Sequence, residues 1–377
     1  ERFDIEKAIY YFTLAAKQNY IDAQFHLGYI FYQGNYVPRD IDKAIYYFSL
    51  ASNQNHAISQ FNLAILYYND RYSKKNIEKS LYYMQLAANQ NFPEALCSLG
   101  LMNLKGNHVP RNINKAIKYL ETSAKKNNVN AQYLLYLVYK SDEYVPHNYN
   151  KSNHYLNLAA NQNHKNAQFS IWQDCFKGEV NESNRIKGIK YLKLSAENGC
   201  IQANFILGYL YHEGKFIEQN INLAIKYYKE ASSFNNKYAK NNLGIIYKNG
   251  FCDIEKNIGA AIDYFKEAIN QSNDKVAMYN LACIYLFDNE NEIDIDKAIE
   301  LLNSSLKSGF KPALNLLEFI KNMSIIDIKK ESFFKNSNYL YNYQFRIIGS
   351  NELNTKSVTN AIREISDNFY EGFGIDS

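Results

Sequence analysis

Apolar side chains recur along this chain at the three- and four-residue spacing of an amphipathic helix. Within residues 188–214, one apolar stripe is followed by Gly199, and a second begins near Gln202 and ends before Gly214. The first stripe consists of Ile189, Leu192 and Ala196. Glycine is typical of helix ends because it adopts a left-handed backbone at little steric cost. The stretch therefore predicts two short helices joined by a tight turn.

The same helix pair recurs about every 36 residues, which gives nine units. A small residue anchors the first helix of each: Ala8, Ala44, Ser80, Ala116, Ser152, Gly188, Ala224, Ala261 and Ala298. Four residues earlier stands a side chain that caps helix N-termini: Asp4, Asp40, Asn76, Asn112, Asn148, Asn184, Asn220, Asn257 and Asp294. The predicted turns carry Asn or Gly: Asn19, Asn55, Asn91, Asn127, Asn163, Gly199, Asn235, Asn273 and Gly309. Start and stop signals in one register predict a helical repeat.

A tyrosine follows three residues after each anchor, from Tyr11 to Tyr264, and Leu301 is the exception in the ninth unit. Such a series could suggest phosphorylation or a cofactor. Its constant place beside the small anchors favours packing within or between repeats, so we assign these rings to the fold.

The second helices carry a small residue where the two helices of a hairpin are expected to cross and pack most closely, which we call the crossing position. Its members include Gly28, Ala64, Gly100, Gly208, Gly244 and Ala282. The fourth and fifth units carry Tyr136 and Trp172 there instead. Because interiors are close-packed, we expect the curvature to change across residues 131–210, with Gly188 making room for Trp172.

A fixed repeat overrides the usual relation between length and domain number. We expect one elongated body over residues 1–320, and a cap or the start of a further region over 321–377. The chain of 377 residues begins with Glu1, which suggests a piece of a longer protein. The net charge of +4 comes from 42 basic and 38 acidic residues spread along the chain, so no footprint for nucleic acid stands out.

The five cysteines fall at different places in the repeat, so equivalent disulfides cannot form in each unit. A reducing, cytoplasmic location is the simpler interpretation. No apolar run is long enough for a membrane-spanning helix. The sequence lacks the common catalytic motifs, and its seven histidines are scattered, so we expect no catalytic residue, no metal site and no cofactor.

Two motifs resemble a known family. Ala8, Phe12 and Ala15 match the A-x-x-x-F-x-x-A part of the tetratricopeptide signature, and Ala203 to Tyr211 match its A-x-x-x-L-G-x-x-Y part. The longer period, the LGYIF block and the G-x-x-V-P exit loop resemble the Sel1-like repeat, a branch of that superfamily, over residues 4 to about 320. The resemblance implies an all-α, right-handed superhelix of about nine repeats that binds other proteins. It implies no shared active site.

If the second helices line a concave face, as in the related superfamily, a row of mainly aromatic side chains points into the groove. The predicted partner-binding residues are Phe25, Tyr29, Tyr32, Phe61, Tyr68, Tyr133, Phe169, Phe176, Phe205, Tyr209, His212 and Tyr279. Aromatic rings dominate the energetics of many interfaces. The alternative for each of them is packing between neighbouring repeats.

The sequence thus favours an interaction scaffold that holds a peptide or a helix of another protein. The alternative is a regulatory or substrate-recruiting arm of a larger enzyme, such as a protein kinase, whose catalytic domain lies outside this chain. Neither the partner nor the oligomeric state follows from the sequence.

Overall fold

A computed structural model describes residues 4–69, 75–177, 180–251, 254–287 and 294–322. Within these ranges the secondary structure is helical, apart from one isolated bridge between Phe251 and Ile254. The all-α prediction is confirmed. Residues 323–377 lie outside these ranges, so the predicted cap or further region remains a prediction.

The described residues form eighteen helices in two compact units, residues 4–167 and 168–322. The first unit contains α1 (Ile5–Lys17), α2 (Ile21–Gln33), α3 (Ile41–Asn53), α4 (Ala57–Tyr68), α5 (Ile77–Asn89), α6 (Pro93–Lys105), α7 (Ile113–Lys125), α8 (Val129–Lys140) and α9 (Tyr149–Asn161). Helix α10 (Lys165–Cys175) contains the division between the units. The second unit continues with α11 (Glu182–Glu197), α12 (Ile201–Glu213), α13 (Ile221–Ser233), α14 (Lys237–Asn249), α15 (Ile258–Ser272), α16 (Lys275–Phe287), α17 (Ile295–Lys307) and α18 (Pro312–Asn322).

The predicted N-caps are confirmed in eight repeats. The Asp40 side chain, for example, accepts a hydrogen bond from the Lys43 N–H at 2.9 Å, and Asn112 does the same for Lys115. The sixth repeat differs, because α11 starts about one turn earlier than its register predicts. Its cap is Asn181, which accepts from the N–H of Asn184, so the prediction of Asn184 as the cap is wrong.

The predicted turns are all left-handed. The seven asparagines have φ between 49° and 65°, and Gly199 and Gly309 have φ of 77° and 84°. Asparagine tolerates this backbone better than other residues that carry a Cβ, which explains why the turns use only these two residue types.

The small crossing residues contact the next repeat rather than the partner helix of their own hairpin. An added Cβ on Gly28 would lie 2.6 Å from the Phe48 ring, and one on Gly208 would lie 2.5 Å from the Tyr228 ring. Each glycine therefore admits a large side chain from the next first helix. The sequence placed this close approach inside the hairpin, and the structure corrects it to the contact between repeats.

The contacts of Gly188 differ from those of the crossing glycines. Its added Cβ would lie 2.5 Å from the Phe176 ring and 3.0 Å from the Cys175 Cβ, so Gly188 makes room for these residues rather than for Trp172, as the sequence suggested. Tyr136 and Trp172 are both buried. The change of curvature across residues 131–210 remains a prediction.

Side-chain amide hydrogen bonds link several pairs of successive repeats. Buried Gln24 donates to the Ala16 carbonyl oxygen in its own repeat and accepts from the Gln54 amide of the next repeat at 2.9 Å. Gln60 accepts from Gln90 in the same way at 2.8 Å. Because a buried amide needs partners, these bonds help to fix the register between repeats.

Five of the eight tyrosines of the series stack between repeats, as predicted, whereas Tyr11 in the first repeat is 65% exposed, so its assignment to packing is wrong. In five repeats the ring three residues after the anchor lies nearly parallel to a ring at the end of the preceding second helix, with centroids 5.6–6.1 Å apart. The pairs are Phe31–Tyr47, Tyr67–Tyr83, Tyr139–Tyr155, Tyr211–Tyr227 and Tyr247–Tyr264.

A lysine lies over several of these stacks, such as Lys43, whose Nζ is 5.0 Å from the Phe31 centroid. Burial raises the pKa of Tyr83, Tyr155, Tyr227 and Tyr264, which keeps these rings neutral.

Candidate partner-binding faces

The predicted row of partner-binding residues divides by burial. Seven of the twelve side chains are buried and at most 8% exposed: Phe61, Tyr133, Phe176, Phe205, Tyr209, His212 and Tyr279. The other five are half-buried: Phe25, Tyr29, Tyr32, Tyr68 and Phe169. The buried group has little area left to offer a partner.

Three of the buried rings, Phe61, Tyr133 and Tyr279, pack against the turn that leads into the next second helix. Phe61 contacts Phe92 with centroids 5.3 Å apart, and Tyr279 contacts Phe310 at 5.4 Å. Tyr133 lies 4.4 Å from the His164 ring. Packing between repeats, the alternative interpretation at the sequence level, therefore accounts for these positions.

Four accessible members of the row lie on neighbouring second helices of the first unit. Phe25, Tyr29 and Tyr32 are on α2 and Tyr68 is on α4, and we call these four side chains the second-helix aromatic cluster. The three rings of α2 pack against a core that includes Phe48. Phe25 also lies 5.2 Å from the His56 ring. Rings supported in this way can bind a partner at a small entropic cost.

In the second unit the row offers less surface. Phe169 is half-buried and stacks on Trp172 at 5.2 Å. His212 is 6% exposed and lies edge-on to Tyr228 and Phe251. Burial lowers the pKa of His212, so this side chain is neutral near pH 7.

A second set of accessible rings was not predicted from the sequence. Tyr10, Tyr46 and Tyr82 lie on α1, α3 and α5 of the first unit and are 58–60% exposed. We call them the first-helix tyrosine row. Each stands two residues after its anchor, so their period was visible in the sequence. The sequence did not distinguish them from the adjacent tyrosines of the packing series, which recur with the same period.

The described residues contain no group of three side chains suited to hold a metal ion. Cys97, Cys175, Cys200 and Cys283 are buried. Burial raises the pKa of the Cys97 thiol, which disfavours the reactive thiolate. Among the helices of the described ranges, none has the length and apolar character needed to cross a membrane.

Helix pairs that repeat about every 36 residues and bury their apolar faces against the next pair define the class of α-helical repeat proteins. The sequence pattern of the Sel1 repeat matches residues 1–20, 21–56, 57–92, 93–128, 130–164, 175–200, 201–233, 237–273 and 275–310. The chain therefore belongs to the Sel1 repeat family. The central segments of this match join a second helix to the following first helix, the pair in which the glycine contacts occur.

Solved structures show the same fold. A protective antigen present in uropathogenic Escherichia coli strains, which displays an SLR fold, is 22% identical, with a TM-score of 0.70 over 84% of this chain and 68% of the antigen. A Sel1 repeat protein from Oxalobacter formigenes is 23% identical, with a TM-score of 0.57 over 85% of this chain and 92% of that protein. No curated protein matches the sequence.

Sel1 repeat proteins generally act in protein–protein interaction, and their fold is generally non-catalytic. Membership of this family thus supports the prediction that the partners are other proteins. Neither the binding face nor the cellular compartment follows from family membership.

Proposed function

We propose that this protein is an interaction scaffold in which the second-helix aromatic cluster holds a peptide or a helix of a partner protein. The proposal rests on one observation, the four half-buried rings of Phe25, Tyr29, Tyr32 and Tyr68 on adjacent repeats of one unit. The general role of the family in protein–protein interaction supports it.

The cluster has the chemistry of an interface centre. Tyrosine and phenylalanine bury about 150–250 Å² each when covered, and the four half-buried rings together offer at most about 350 Å². That area suits a short peptide or one helix better than a whole domain, because a standard interface buries about 800 Å² on each partner. The concave position of this face remains part of the proposal.

The buried members of the predicted row have a different part in this proposal. Their contacts with the next repeat, such as Phe61 with Phe92, hold the second helices in register. Changing them would alter the fold before it altered binding. Neither the described residues nor the comparisons favour the alternative of an arm of a protein kinase.

The test is a triple substitution, Tyr29→Ala, Tyr32→Ala and Tyr68→Ala, in the full chain. Proteins captured from cell extract by the parent and by the variant are quantified by mass spectrometry, and circular dichroism monitors helicity. We expect at least tenfold lower recovery of the proteins that the parent captures, at unchanged helicity, because the loss of three interface rings costs several kcal/mol of binding.

The first-helix tyrosine row provides the matched control. The triple variant Tyr10→Ala, Tyr46→Ala and Tyr82→Ala also removes three tyrosines and should leave recovery unchanged. The proposal is overturned if the control loses the partners and the second-helix variant retains them, or if both variants capture as much as the parent.

A further inference from the structure

A pocket of about 490 Å³ lies beside α11, the first helix of the sixth repeat in the second unit. This volume is within the range of about 300–1,000 Å³ that is usual for ligand sites. Its apolar lining includes Ile186, Ile189 and Phe216, and its cations are Arg185, Lys190 and Lys193.

The pocket lies where one departure from the repeat meets an exit loop. Helix α11 has 16 residues, whereas α12 and α13 have 13 each, and its additional N-terminal turn precedes Arg185. The exit loop after α12 contains Phe216, which has a φ of 67° although it carries a side chain. His108 has a φ of 59° at the equivalent position of the third repeat, so the additional turn of α11 is what distinguishes this repeat.

Specific contacts hold the loop against the helix. The Arg185 Nη1 donates to the Phe216 carbonyl oxygen at 3.2 Å. The Phe216 ring lies edge-on to Phe176 with centroids 5.1 Å apart. The pocket is therefore formed before any ligand binds, which lowers the entropic cost of binding.

The pocket offers apolar surface to solvent. Ile186 is 61% exposed, and Phe216 and Ile217 are half-buried. A concave site with exposed apolar side chains is typical of a binding surface.

The charges around this surface are mainly positive. Arg185 has Glu182 as a neighbour at 3.3 Å, Lys193 lies over the Tyr211 ring, and the Lys190 side chain is exposed. The lining contains no acidic residue among the described positions, although Glu213 at the end of α12 and Glu218 in the exit loop are exposed nearby in the sequence. An acidic ligand complements these cations.

We propose that this pocket binds an acidic amphipathic helix of a partner protein. Apolar side chains of that helix would cover Ile186 and Phe216, and its carboxylates would meet Lys190 and Lys193. The two lysines are three residues apart on one helix, so they present neighbouring charges that match carboxylates three or four residues apart on the partner. This site is distinct from the second-helix aromatic cluster, and its test uses other residues in the other unit.

The test measures fluorescence anisotropy of labelled peptides of about 18 residues, roughly five helical turns. Three peptides share leucines at helical spacing and differ at their polar positions, which are Glu, Gln or Lys. We expect the Glu peptide to bind the full chain at least tenfold more tightly than the Gln peptide, the Lys peptide to bind most weakly, and the affinity for the Glu peptide to fall as salt rises.

Substitutions then locate the site. Lys190→Glu should lower the affinity for the Glu peptide at least tenfold, and Ile186→Ala should lower the affinity for all three peptides. Lys226→Glu is the matched control, because Lys226 has the same register in the next repeat and is also exposed. Its expected effect is less than threefold, and circular dichroism verifies that each variant is folded.

Three outcomes overturn the proposal. The first is a Glu peptide that binds no more tightly than the Lys peptide. The second is an equal loss for Lys190→Glu and Lys226→Glu. The third is binding of sodium oleate that Lys190→Glu abolishes while none of the peptides binds, since the pocket would then take a free carboxylate amphiphile rather than a protein segment.

Discussion

His164 shows how one side chain can combine capping with packing. Its Nδ1 accepts a hydrogen bond from the N–H of Ala167 at 3.1 Å, close to the start of α10, and its ring stacks on Tyr133. Burial, with a smaller effect from Lys165, lowers the pKa of His164 from 6.5 to about 4. Only the neutral ring can accept the capping bond, so protonation opposes both the cap and the burial.

We predict that His164 makes the free energy of unfolding depend on pH. The unfolded state binds more protons than the folded state between pH 6.5 and about 4. The contribution of His164 to the free energy of unfolding is therefore complete above pH 6.5 and is lost as the pH falls through that window. The upper limit is about 3 kcal/mol, from roughly 1.4 kcal/mol per unit of pKa. Urea unfolding at several pH values measures the loss.

His164→Asn is the discriminating variant, because Asn128 caps α8 with the same bond and does not titrate. The variant should lose less stability than the parent between pH 6.5 and 4. Equal slopes for the two proteins would contradict the prediction. Hydrogen bonds from Lys43 and Lys297 lower the pKa of Asp40 and Asp294, and because both proteins contain these caps, their effect on the pH dependence cancels in the comparison.

At the scale of helices, the contact between repeats combines a small residue with a large one. An added Cβ on Gly244 would lie 2.7 Å from the Phe265 ring, which is fully buried. In the last repeats, Ala282 and Leu302 belong to one core cluster and occupy the corresponding positions. The Ala282–Leu302 pair therefore has about the same combined volume as the Gly244–Phe265 pair.

We predict that Gly244→Ala destabilises the protein by about 1–3 kcal/mol, because the new methyl group overlaps a ring that cannot move away. Phe265→Leu alone should also destabilise, by leaving a cavity. The double variant reproduces the Ala282–Leu302 combination and should lose less than the sum of the two single variants. A double-mutant cycle from urea unfolding measures this coupling, and strict additivity would show that the two residues do not share the space.

At the scale of the whole molecule, the repeated contacts imply that stability is a sum over repeats and the interfaces between neighbours. Residues 57–92 match one Sel1 repeat and contain α4 and α5. Their removal joins His56 to Pro93, so a residue that caps one second helix would precede the first residue of another.

We predict that the chain lacking residues 57–92 folds cooperatively and has the same helicity per residue. Its free energy of unfolding should depend less steeply on urea concentration. The dependence falls because less surface is exposed when a shorter array unfolds. Circular dichroism and urea unfolding measure both quantities.

Deletion of residues 57–75 is the matched control. It removes α4 and leaves α5 with its Asn76 cap but without the helix that packs on it. This variant should lose helicity or aggregate. If both deletions behave alike, the repeat is not the unit of stability.

Much of the fold could be predicted, because helix ends depend on local chemistry. Asn19 and the equivalent turn residues are left-handed where their type indicated, and eight predicted caps form the expected bond. The exception, Asn181 in place of Asn184, arose because both residues can cap and only the packing of the additional turn distinguishes them.

The candidate site was less predictable. Phe61 and Tyr29 have the same residue class on equivalent helices, yet one is buried and the other is partly accessible.

The sequence alone therefore determined the period, the family and all the predicted helix ends except the start of α11, since each depends on residues close together in the chain. The tertiary structure decided which rings are accessible, which side chain each glycine admits, and that a pocket lies beside α11. The physical reason is that burial depends on side chains from the next repeat, about 30 residues away, whose volumes must fit together.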